Sequence, residues 1–258
     1  MIKPQKTRIY LFFSLFVFVL THGCSEKDYN KSDPAESFAY AKEPYDDESY
    51  DTALTRLGEF KSRFPYSKYA VEAELLIANS HFKLEHYEEA AAAYAQFVKL
   101  HPKHEQVDFA MYRVGESYWV DAPEAINREQ EYTFKAIEEW NKLIVRFPKS
   151  KYSEKAAEFI EKGKRRIAES FDFIAKFYCK LEIYHACAYR YQLLVRDYPQ
   201  YKDLYKNALE QAGKAFLKLS EIKAADPESD KNIFFKKMSS SELKENGEKL
   251  IKESAEVR

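Results

Sequence analysis

The sequence predicts an all-α fold, a superhelix of about five stacked helix-turn-helix repeats, on three observations. First, the phrase RFPYSKY at 63–69 returns as RFPKSKY at 146–152, with weaker copies around Pro102 (LHPKH) and Pro199 (DYPQYKD). Second, a small residue stands twelve positions before each of Pro65, Pro102, Pro148 and Pro199: Ala53, Ala90, Ala136 and Cys187. A large apolar residue follows four positions later (Leu57, Tyr94, Trp140, Tyr191), and another three further on (Phe60, Phe97, Leu143, Leu194). Third, 6 Gly and 9 Pro in 258 residues leave long stretches free of helix breakers, while 20 Tyr and 19 Phe supply a core.

Each part of the repeat has a physical reason. The small residue lets two antiparallel helices approach closely, and residues four and seven positions on share its face and fill the space between them. The proline lacks an N–H and excludes the α region for the residue before it, so the chain turns there into the next unit. The clearest copy runs from Val71 to Pro102 and fits the 34-residue tetratricopeptide period. Repeats are expected near 37–66, 71–103, 108–149, 153–200 and 203–221, within a solenoid spanning 37–222. The third carries an insertion after Trp119 (VDAPEAINREQ), and the fourth has a long first helix to about Tyr178. Leu204–Leu219 shows a fifth first-helix pattern. The remaining stretch, 223–258, carries eight positive and eight negative charges and reads as a charged tail, partly disordered or a short helix capped at a serine. Ile233, Phe234 and Phe235 are its only candidates for a partner contact.

The N-terminus reads as an address. Lys3, Lys6 and Arg8 precede a 12-residue apolar run, IYLFFSLFVFVL at 9–20, which is short for a membrane span and right for a secretory signal. Cys24 follows directly after the small Gly23, so residues 1–23 are expected to be a lipoprotein signal peptide and Cys24 the lipidated residue. Ser25 after the cysteine fits sorting to an outer membrane, and 24–36 reads as a flexible tether.

Taken together, the lipoprotein start, RFPYSKYA, HPKHEQVDFAMYRVGES, KRRIAESFDFIAKFYCK and YHACAYRYQLLVRDYPQ resemble the BamD lipoproteins over about residues 20–220. These are tetratricopeptide components of the machinery that inserts β-barrels into bacterial outer membranes. The chain departs from that family in Thr21 and His22 before the cysteine, in the cysteines of repeat four, and in a longer C-terminal stretch. The resemblance implies an assembly factor on the periplasmic face of a Gram-negative outer membrane, held by its lipid. Implied partners are a BamA-type barrel insertase (through a POTRA domain), unfolded outer-membrane β-barrel proteins and other small assembly lipoproteins. First helices would line a peptide-binding groove with Phe38, Lys42, Leu75, Asn79, Phe82, Tyr112, Glu116 and Trp119, which suit an extended or hairpin peptide. The insertase-docking face would include Arg190, Arg196, Asp197 and Tyr198. Arg190, one residue before the core Tyr191, should point off its hairpin and offer a bidentate fork to an acid on another protein. The alternative is another periplasmic repeat adaptor for cell-envelope or cell-division complexes; adaptors of that kind carry heptads, which are lacking here.

Other chemistry is weak. The 41 basic and 42 acidic residues give a net charge of −1 and no electrostatic case for nucleic acid. The basic cluster KGKRR at 162–166 reads as a solvated helix face. Glu116-Ser117 resembles the acid of lytic transglycosylases, but its supporting motif is missing, so no enzyme activity is expected. The six histidines form no metal set, and no cofactor is expected. Cys179 and Cys187 could bridge across a helix hairpin in an oxidising compartment. The favoured expectation is that both fill small buried slots as free thiols, Cys187 standing where other repeats have Ala.

Overall fold

The computed structural model describes residues 29–227 and 235–257; the predicted signal peptide, Cys24, Ile233 and Phe234 lie outside them. Among the described residues there are ten helices: α1 (Pro34–Asp46), α2 (Tyr50–Arg63), α3 (Ala70–Lys83), α4 (Tyr87–Leu100), α5 (Val107–Asp121), α6 (Glu131–Arg146), α7 (Lys151–Lys180), α8 (Tyr184–Asp197), α9 (Lys202–Ala225) and α10 (Ser240–Glu256). Each packs on its neighbour in sequence, and first helices also touch across repeats, α1 on α3, α5 on α7 and α7 on α9. This is the tetratricopeptide superhelix that the spacing predicts.

The repeat signature is the core. Ala53, Ala90, Ala136 and Cys187 are all at most 1% exposed, as are Leu57, Tyr94, Trp140 and Tyr191. The helices carrying them end at Arg63, Leu100, Arg146 and Asp197, each two residues before its proline. The residue between, Phe64, His101, Phe147 or Tyr198, donates its N–H to the carbonyl of Phe60, Phe97, Leu143 or Leu194. One side chain thus fills the core while its carbonyl caps the helix, which explains why the signature is so regular.

The turns inside repeats one, two and four share a second device. Glu48, Glu85 and Glu182 lie in the left-handed region at φ 58°, 61° and 59°. In the second repeat the N–H of His86 bonds the carbonyl of His81, and that of Glu85 the carbonyl of Phe82. The same pair of bonds closes at Ser49 and Glu48, and at Ile183 and Glu182. These are Schellman motifs with glutamate where glycine is the easy choice.

Two glycine contacts set helix spacing. A Cβ on Gly115 would sit 2.5 Å from Nε1 of Trp140, so only glycine lets α5 and α6 close over that ring. A Cβ on Gly213 would meet the Gly247 carbonyl oxygen at 2.8 Å, and one on Gly247 the Gly213 carbonyl at 2.9 Å. There α9 and α10 touch backbone to backbone. The stretch expected as a charged tail therefore contains the second helix of repeat five. Its capping box pairs Ser239 with Glu242, and it buries Leu243. Phe235, expected as a partner contact, is 3% exposed and packs edge-on to Phe216.

The cysteine expectation is corrected. Cys179 and Cys187 form a disulfide, because the turn at 181–183 brings their Cα atoms to 5.0 Å, inside bridging range.

Candidate partner-binding faces

The predicted groove residues separate into three fates. Phe38, Leu75 and Tyr112 are 7%, 5% and 2% exposed and belong to the core, which corrects their assignment as peptide contacts. Phe38 stacks on Tyr69 and tilts against Phe60, and Tyr112 stacks between Trp140 and Tyr152. Asn79 and Glu116 are tied into one polar network. Tyr94 donates its hydroxyl to Asn79 at 2.6 Å, and Tyr112 donates to Glu116 at 3.0 Å. Lys42 pairs with Asp46 one turn on, at the N-terminal end. Phe82 and Trp119 remain half-buried, each with a guanidinium on its ring: Arg113 at 3.5 Å and Arg166 at 4.1 Å.

Arg113 is the hub that sequence reasoning missed. Its Nε donates to the Tyr94 hydroxyl at 3.2 Å and its Nη1 to Glu116 at 2.6 Å. Burial works against its charge, but Tyr94 and Glu116 outweigh that and raise its pKa. Burial likewise pushes the Tyr94 phenol up to about 12, and burial with the Glu116 carboxylate raises Tyr112. Lys155 of α7 adds a sixth member, 3.7 Å from Glu116 and over the Tyr112 ring. The signal was present: Arg113 is the lone cation of the otherwise apolar or acidic VDFAMYRVGESYWVD. Ser117, part of the Glu-Ser pair, is buried and donates to the Arg113 carbonyl at 2.8 Å.

The docking residues sit on α8 and its C-terminus. Arg190 is half-buried and makes no ion pair or hydrogen bond among the described residues. Asp197 lies seven residues on, the same face of the helix. It is already held by Arg196 in a two-point fork at 2.6 and 2.7 Å, and that guanidinium keeps its carboxyl below the usual range. Tyr198 is 8% exposed, stacked on Tyr201 and edge-on to Phe171, so it is corrected from a contact to a core residue. Beside this face a cleft of about 380 Å³ opens between α8, α9 and α10, lined by Tyr189, Leu193, Val195, Arg196 and Leu250. At the other end of the molecule a larger cleft of about 940 Å³ lies along α1 and α2. There Arg56 stacks on Tyr40 at 4.0 Å and Tyr40 on Tyr29 at 4.1 Å. Among the described residues no helix is long and apolar enough to cross a membrane, and no cluster could hold a metal ion.

Stacked helix-turn-helix repeats, with a polar network on their first helices and no cluster that could hold a metal ion among the described residues, define a tetratricopeptide-type repeat protein. Residues 30–231 match the YfiO family, described as an outer membrane lipoprotein. The chain belongs to that family. It is 27% identical over 176 residues to the outer membrane protein assembly factor BamD of Neisseria meningitidis, covering 62% of this chain and 64% of that one. It therefore spans just under two thirds of that relative's length. The BamD of Vibrio cholerae is 26% identical over 196 residues, covering 72% and 81% of the two chains. That of Pasteurella multocida is 24% identical over 225 residues, covering 84% and 86%.

Proposed function

We propose that this chain is an outer-membrane protein assembly factor: a non-enzymatic lipoprotein scaffold on the periplasmic face of the outer membrane, anchored through Cys24. Its N-terminal repeats receive unfolded β-barrel proteins, and α8 docks on the periplasmic POTRA domain of a BamA-type insertase. Family membership across 30–231 carries this reading. Arg190, half-buried and without a partner among the described residues, supports the docking role, with Arg196 and Asp197 as its polar rim. For substrate capture the available groups are Phe82, Trp119 and Lys42, with Asn79 and Glu116 fixing the inner face rather than reaching out.

The experiment is capture from native envelopes in mild detergent, with partners identified by mass spectrometry. Recovery of a barrel protein bearing POTRA repeats is expected; recovery of cell-wall or division proteins alone overturns the reading in favour of an envelope adaptor. Arg190→Glu should weaken insertase capture by about 2 kcal/mol, roughly thirtyfold, if the guanidinium meets a carboxylate. Unchanged capture would return Arg190 to solvent.

A further inference from the structure

The two full copies of the repeated phrase differ at one position. RFPYSKY at 63–69 has Tyr66 where RFPKSKY at 146–152 has Lys149. Tyr66 is 100% exposed and touches no ring and makes no hydrogen bond among the described residues, so the fold gives no reason for an aromatic side chain there. Two exposed cations flank it, Arg63 and Lys68, and neither makes an ion pair among the described residues. An unused tyrosine between two unpaired cations thus stands on the turn after α2, and only in the first copy.

That copy is also the one beside which the chain enters the fold. Arg146 donates Nη2 to the Pro102 carbonyl at 2.7 Å, tying its turn to the turn of the repeat before. Arg63 reaches back in the same way, Nη1 to the Lys31 carbonyl at 3.3 Å, so the residues around Lys31 stand where an earlier repeat would end. They are fastened there. Asn30 donates its N–H to Glu36 at 2.8 Å, Ser37 donates its hydroxyl to the Lys31 carbonyl at 3.4 Å, and Tyr29 stacks on Tyr40 at 4.1 Å. The tether expected over 24–36 is corrected accordingly: the chain is part of the folded end from Tyr29, and α1 starts at Pro34. Only five peptide steps separate Cys24 from Tyr29, a span of at most about 18 Å.

We propose that the turn at 63–68 seats on the phospholipid surface that carries the anchor, with the Tyr66 ring at headgroup level and Arg63 and Lys68 against phosphates. This rests on the lipid at Cys24 proposed above. The short reach from that lipid to the end of the solenoid selects the occupant. Tyrosine, apolar in its ring and polar at its tip, collects at membrane–water interfaces, and basic side chains close to an anionic lipid surface are drawn to it. The copy at 146–152 lies two repeats further on and carries a lysine in place of the ring, as suits a turn in water. A lipid alone leaves the solenoid free to swivel; a second contact at the same end fixes its tilt against the bilayer.

The test places the photo-crosslinking residue benzoylphenylalanine at Tyr66 of the full chain in intact envelopes, and at Leu181, exposed in the hairpin turn of repeat four, as the control. Adducts are identified by mass. The expected result is a phospholipid adduct at position 66, with about tenfold the yield at 181. Lys68→Glu should lower that yield about fivefold while the protein melts like the parent. Arg63→Glu should do the same, and Lys68→Glu carries the test should loss of the Lys31 contact disturb α2. A membrane-bound chain whose lipid yield at 66 is no higher than at 181 overturns the proposal and leaves the anchor standing. So does an adduct at 66 only to protein, or a lipid yield indifferent to both substitutions. The intact mass of the parent reads the anchor separately: an unacylated Cys24 overturns the anchor and the proposal with it.

Discussion

The first two repeats and the fourth are built from one signature yet end in different kinds of surface. In repeats one and two the helices are 13 or 14 residues long and matched in length, so their apolar faces are consumed by stacking. Along the first helices of repeats two and three, beside the half-buried Phe82 and Trp119, lies a polar network held by Arg113 between Tyr94 and Glu116. In repeat four the first helix has 30 residues and the second 14, and a disulfide fastens the hairpin where the long helix ends. Matched lengths give a closed stack, and surplus length gives free surface, where Phe173, Phe177 and Leu181 stand exposed. The lesson concerns solenoids generally: the signature fixes how repeats stack, while helix length beyond it decides where surface is left free.

The sharpest way to break the comparison is at the core that both regions share. Trp140 is fully buried, donates Nε1 to the Tyr112 carbonyl at 3.0 Å and closes over Gly115. Trp140→Ala should cost about 3–5 kcal/mol, read from the urea midpoint, because the cavity opens where repeats two to four meet. A cost under about 1 kcal/mol would mean that the repeats do not stack cooperatively.

That core was legible from sequence because its signal is positional. Small, large, large and proline at fixed spacing name Ala136, Trp140, Leu143 and Pro148 without further knowledge. The contact residues were harder to read, for a physical reason. Tyr112 and Phe82 are both aromatic residues on first helices, and which one a neighbour covers depends on the stacking of the next repeat, which spacing does not encode. Arg113 showed only as the lone cation of its helix, which normally reads as a solvated charge, and tertiary structure is needed to show its two partners. The pairing of Gly213 with Gly247 was not legible either. Gly213 lies in the expected fifth first helix and Gly247 in the stretch expected as a charged tail, and only packing shows that each removes the Cβ that would hold α9 and α10 apart.

The second prediction addresses the staple. The cystine closes a short loop, with a sequence separation of 8. Its removal by Cys187→Ala, or by reduction, should cost roughly 2–3 kcal/mol through the freed unfolded chain. Hydrogen exchange should show the loss confined to α7, α8 and the helices packed on them, with α1 to α4 protected as before. Loss spread evenly over the chain would show that the staple stabilises the whole stack rather than the repeat with the long helix.

The smallest effect is also the most discriminating. Glu85 and Glu182 occupy the same left-handed position in the same turn, at φ 61° and 59°, but only Glu182 lies inside the disulfide loop. Glycine at either site relieves a left-handed cost of about 1–2 kcal/mol and adds freedom to the unfolded chain worth roughly 0.5–1 kcal/mol. Glu85→Gly should therefore stabilise the protein by about 0.5–1 kcal/mol. Glu182→Gly should stabilise it more, because the cystine already restricts the unfolded chain that glycine would otherwise loosen. Under reducing conditions the two gains should converge. Equal gains with the disulfide intact would mean that the staple leaves the unfolded turn as free as an open one, and would remove the difference argued between the second and fourth repeats.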